Sequence, residues 1–210
     1  MIVDDIRTFL LAAFGNAFLN GKDVSLDNGH PVAYGFYKIK FVQNLPGKQI
    51  GWINYLAKNP NLWFRYLKYE GYKRLYLIYR ENSDSNWKIL AVKDDKYDIW
   101  SYKVVFQQET PKFYYYIEKT ELDTPEIKVV PLEEAKIKLK KMLQEMIAFT
   151  VKAELRNWQL IFERALSLLA IKRDNQLLVK GFFPEGCYKI EAKQIIATCD
   201  EAWVFGGMGS

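Results

Sequence analysis

The 210-residue chain has one histidine, His30, and two cysteines, Cys187 and Cys199. A single histidine excludes a two-histidine zinc centre. The two thiols are far apart in sequence and form no CxxC pair, so neither a disulfide framework nor a thiolate metal site is expected. No stretch of about 18 uncharged apolar residues occurs, which excludes a membrane-spanning helix from the reading. Asp4 and Asp5 sit where a secretory leader carries positive charge. The expected compartment is therefore a reducing cytoplasm. Serine nucleophile elbows and calcium-loop patterns are lacking. The glycines of Gly206-Gly-Met-Gly209 follow a predicted helix instead of linking a strand to one, so they do not make a phosphate loop.

What the chain has is apolar and aromatic substance. Half its residues are hydrophobic and 16% are aromatic. A chain of this size buries roughly 70% of its unfolded surface, so it needs no staple. The net charge of +5 is unevenly spread. Between Phe36 and Glu118 there are 14 basic and 8 acidic residues, against 16 and 17 elsewhere. That excess favours solubility and weak attraction for polyanions, and does not by itself define a function.

The order of periodicities predicts one α+β domain over residues 1–210. A helix is expected over about 3–19, with Ile6, Phe9, Leu10, Ala13, Phe14 and Phe18 on one face and Gly21 as its left-handed stop. A β-meander follows over about 33–130. Its strands are read at 33–42, near 50–53, at 74–80, 87–92, 98–108 and 112–118, and at 127–130. A helix after Pro60 would turn Leu62, Trp63, Tyr66 and Leu67 inward. Helices fill about 131–205, with a break between 148 and 157, a hairpin at 174–183, and a last helix from about 191 to 204. Short loops between the strands argue for antiparallel neighbours. The expectation is an antiparallel sheet of about 5–6 strands with helices packed on one face.

Chemistry-bearing residues are few. His30, in the loop Asp27-Asn-Gly-His-Pro31, has an unperturbed pKa near neutrality and can act as a general base. Paired with Cys187, Cys199 or a carboxylate it would give a hydrolase-like enzyme, although a loop histidine satisfied by backbone or water is the commoner case. Glu133/Glu134, Asp94/Asp95 and Asp4/Asp5 are adjacent in sequence, so their side chains diverge. Capping and turn formation account for them. No catalytic residue, metal or cofactor is assigned.

The feature above background is the interleaving of rings and cations in Lys73-Arg-Leu-Tyr-Leu-Ile-Tyr-Arg80, at Tyr102-Lys103 and in Lys112-Phe-Tyr-Tyr-Tyr-Ile-Glu118. If Phe113, Tyr115 and Ile117 face inward, Tyr114 and Tyr116 face out. Arg74, Arg80, Lys103, Tyr114 and Tyr116 would then form a binding face. Such a face suits a protein partner, because tyrosine and arginine are enriched at interfaces. It also suits single-stranded nucleic acid, with rings on bases and cations on phosphates. The plainer account is a sheet with rings in its core and solvating lysines outside it.

The ending Ala202-Trp-Val-Phe-Gly-Gly-Met-Gly-Ser210 resembles a C-terminal signature of uncharacterised bacterial proteins, some of which resemble immunity proteins of polymorphic toxin systems. The resemblance covers nine residues. It implies a cytosolic protein that binds another protein and catalyses nothing. The basic charge fits poorly with a nuclease inhibitor, which needs an acidic face. The leading expectation is a non-enzymatic interaction protein.

Overall fold

Among the described residues, alternation of apolar and polar residues sets six strands, and 3.6-residue apolar spacing sets five helices. The computed structural model describes residues 3–26, 39–43, 54–79, 87–94, 96–107, 112–122, 130–173, 177 and 181–203. They fall into two compact units, one of residues 2–126 and one of residues 127–210 with Met1.

The first unit contains α1 (Val3–Leu19), β1 (Ile39–Gln43), β2 (Asn54–Ala57), α2 (Pro60–Tyr69), β3 (Arg74–Tyr79), β4 (Trp87–Lys93), β5 (Lys96–Gln107) and β6 (Lys112–Leu122). The strands form one sheet in the order β2-β1-β6-β5-β4-β3. All neighbours are antiparallel except β1 and β6, which run parallel, with Phe41 opposite Ile117. The sheet is thus mixed where an antiparallel one was expected. The reason is topological: the meander from β3 to β6 returns beside β1, which the short loops do not dictate. β2 and β3 are the two edges, and the chain passes from one to the other through α2.

α1 and α2 pack on the same face of the sheet. The Trp63 ring stacks on Phe41 of β1 at 4.7 Å and meets Trp100 of β5 edge-on at 5.3 Å. From α1, the Arg7 guanidinium donates to the Tyr102 hydroxyl at 2.7 Å and lies 5.4 Å from the Tyr115 ring centre. Both helices end in left-handed glycines, Gly21 and Gly71. At the end of α2, the Tyr72 amide donates to Leu67 and the Gly71 amide to Lys68, which satisfies carbonyls the helix leaves open.

Two expectations are corrected. α1 is buried on more than one face, with Leu11, Ala12 and Ala17 as deeply buried as Leu10. A helix that is apolar nearly all round is enclosed, and is not one with a single wetted side. The face of the sheet away from the helices was expected to be an exposed aromatic and basic surface. Its centre is buried at Val42, Leu90, Ile99, Ser101 and Tyr116.

The second unit holds α3 (Leu132–Lys152), α4 (Arg156–Leu168) and α5 (Ile190–Glu201). Leu143, Phe162, Ala165 and Leu169 form its main core, with Leu139, Ile147 and Trp158 against it. The expected break falls at Ala153–Leu155. There Glu154 adopts a left-handed conformation, φ 56°, and the Leu155 amide donates to Thr150. Strands expected at 33–38, 50–53 and 127–129, most of the 174–183 hairpin and the 204–210 tail lie outside the described residues.

Candidate binding groove

Asn59-Pro60 starts the element that builds the site. The Asn59 side chain accepts from the Leu62 amide at 2.9 Å, and Pro60 occupies the first turn, where its missing N–H costs nothing. A second tie holds the same end: Asn61 accepts from the Leu26 amide and donates to the Ser25 hydroxyl, both at 2.9 Å. Pinned in this way, α2 presents two stripes at helical spacing. Pro60, Trp63, Phe64 and Leu67 are buried against the sheet. Leu62, Arg65, Tyr66 and Tyr69 form the other stripe, and with Tyr55, Leu56, Ala57 and Lys58 of the β2 segment they line a surface groove of about 560 Å³.

The groove is aromatic and cationic. Tyr69 is 88% exposed, Tyr55 46% and Leu62 40%. Leu62, expected to turn inward, therefore faces the groove, because α2 meets the sheet through the stripe one position further on. Lys58 and Arg65 are exposed, and neither has an ion-pair or hydrogen-bond partner among the described residues. Among the described residues no carboxylate lines the groove. On the sheet beside it, the Lys40 ammonium lies 5.2 Å from the Tyr55 ring centre.

Behind the groove is a buried polar cluster. Asp98, 7% exposed, accepts a hydrogen bond from the Tyr72 hydroxyl and pairs with Lys119 at 3.3 Å. Burial, with Glu70 and Asp98 nearby, pushes the Tyr66 hydroxyl up to about 12. Burial and the bond to Asp98 raise Tyr72 further. Both phenols stay neutral at physiological pH, so Tyr66 adds no negative charge to the groove lining.

The residues proposed from sequence do not converge. Arg74 is exposed on β3, its guanidinium 5.9 Å from the Tyr76 ring and 3.3 Å from that residue's hydroxyl. Lys103 is half-buried opposite Tyr116. The register aligns Arg74 with Val92 and Tyr97. Lys103 is six residues further along β5, about 20 Å at strand spacing. Tyr116, expected to be accessible, is 1% exposed. Its parity is as read from the sequence, but that face is buried at the centre of the sheet. The Tyr114 backbone pairs with Val105, while its side chain, together with Arg80 and His30, lies outside the described residues. Cys187 and Cys199 are free thiols. Among the described residues no group of three or more histidine, cysteine or carboxylate side chains could hold a metal. No described helix is long and apolar enough to cross a membrane.

Sequence reasoning missed the groove because Tyr55, Lys58, Leu62, Arg65 and Tyr69 straddle a strand and a helix whose boundary was ambiguous. The signal available was the second stripe of α2, 62-65-66-69, which is too apolar and aromatic for an outward helix face. Searches for a matching protein family, curated protein or solved structure find none.

Proposed function

We propose that this chain is a non-enzymatic interaction protein that takes hold of another protein through the groove between β2 and α2. The observation that carries the reading is the stripe Leu62–Arg65–Tyr66–Tyr69, facing Tyr55 and Lys58 across the groove. Exposed tyrosine and arginine around a concavity are the composition of an interface anchor site, and Leu62 adds apolar area beside them. The ending Ala202-Trp-Val-Phe-Gly-Gly-Met-Gly-Ser210 favours the same class, since it resembles a signature of uncharacterised bacterial proteins, some of which resemble immunity proteins of toxin systems. The nucleic-acid alternative is less favoured, since burial of Tyr116 takes a stacking ring from the sheet face on which it depended.

The test is selection of displayed random peptides on the full chain, in parallel with Tyr69→Ala and Arg65→Glu variants of unchanged circular dichroism. Sequences enriched by the parent and lost on both variants support the reading. Enrichment that is equal on all three, or absent, overturns it. Tight, salt-sensitive binding of a labelled single-stranded oligonucleotide that Arg65→Glu abolishes would replace it with the nucleic-acid reading.

A further inference from the structure

Resting on the protein-binding reading of this groove, we infer that its occupant is an extended, acidic segment of the partner that pairs with the outer edge of β2 as an added strand. The two edges of the sheet are finished differently. At β3, the Asn16 side chain donates to the Leu75 carbonyl and accepts from the Leu75 amide, both at 2.8 Å. That two-bond exchange imitates an antiparallel neighbour and closes the edge at this residue. At β2, the strand pairs with β1 alone among the described residues, and its residues Tyr55, Leu56 and Ala57 line the groove. An edge that no described residue pairs, beside a binding groove, suits strand addition, where main-chain bonds give affinity and alternate side chains give selectivity.

Dimensions and charge narrow the occupant. β2 spans four residues, about 13 Å at strand spacing. The facing stripe from Leu62 to Tyr69 covers about 10 Å at helical rise. A segment of about four extended residues fits both walls. Its side chains would meet Tyr55 and Lys58 on one wall and Leu62, Arg65 and Tyr69 on the other, so each wall offers a ring and a cation. Two cations with no carboxylate in the lining call for acidic residues in the ligand. The same charges argue against a second copy of this chain, because edge-to-edge pairing of β2 would bring like charges together.

The test is fluorescence anisotropy of the full chain with four labelled probes: an eight-residue capped peptide alternating glutamate with valine and tyrosine, the same peptide with lysine for glutamate, the same acidic peptide N-methylated at alternate amides, and an oligothymidylate of matched charge. The acidic peptide is expected to bind. Charge reversal and N-methylation should each weaken it by roughly tenfold or more, the loss of one or two charge-assisted or main-chain bonds. Lys58→Glu and Arg65→Glu should do the same, while Lys22→Glu, which reverses a charge outside the groove lining, changes nothing. Equal binding of the N-methylated peptide overturns strand addition, and equal binding of the lysine peptide overturns the acidic preference. Preference for the oligothymidylate overturns both. If none of these probes binds, the inference fails; peptides selected on the groove as above would then still uphold the protein-binding reading with a different ligand chemistry.

Discussion

At the residue scale, Gly15 marks a close approach of α1 to the sheet. A β-carbon there would sit 2.5 Å from Leu75 Cδ1 and 3.3 Å from Phe64 Cε1. Gly15→Ala should therefore destabilise despite the better helix propensity of alanine. Overpacking costs about 1–3 kcal/mol, and the propensity gain offsets at most about 1 kcal/mol of it. A lower urea midpoint at unchanged slope would verify this. The Asp98 cluster is a second point of sensitivity. Asp98→Ala leaves Lys119 charged and nearly buried and the Tyr72 hydroxyl without its acceptor. Loss of one partner of a buried pair costs about 3–5 kcal/mol. The double variant Asp98→Leu, Lys119→Met should recover much of it, and equilibrium unfolding of the three proteins reads the difference. Neither of these side chains lines the groove, so folded variants should keep their binding.

At the element scale, helix ends carry the sharpest sequence signals. α2 begins at its asparagine cap and stops at Gly71. Asn59→Ala removes the bond to the Leu62 amide and should cost about 1 kcal/mol. Because α2 forms one wall of the groove, peptide affinity should weaken along with thermal stability. α3 ends with the same capping pattern as α1 and α2, yet with Glu154 at the left-handed position. A side chain costs roughly 1–2 kcal/mol there, partly returned by the extra backbone freedom glycine gains on unfolding. Glu154→Gly is therefore expected to raise the melting temperature of the second unit. A decrease would mean that Glu154 makes contacts that outweigh its backbone strain.

At the scale of the whole molecule, raised phenol pKa values predict an alkaline limit to stability. Tyr66 and Tyr188 are each pushed from 10 to about 12, chiefly by burial. The folded chain holds these protons where the unfolded chain has released them, so stability is full below pH 10 and falls as pH rises towards about 12. Tyr66→Phe should shrink that fall without altering stability at neutral pH. Chemical unfolding on both sides of the window measures it, and an unchanged alkaline loss would contradict the assignment for Tyr66.

The sequence by itself determined the α+β class, the span of α1, five of the six strands within a few residues, the stop of α2 at Gly71 and the break after α3. These follow from short-range causes: caps, left-handed positions and side-chain period. It did not determine that β1 runs parallel to β6, that Tyr116 is buried, or that Leu62 looks outward. Alternation tells which residues share a face, as it did for Tyr114 and Tyr116, but burial of that face depends on what the rest of the chain lays over it. Only the tertiary structure could bring Tyr55 of an edge strand and Lys58 just after it opposite Arg65 and Tyr69 of a helix, because the groove exists through packing between elements and has no period of its own.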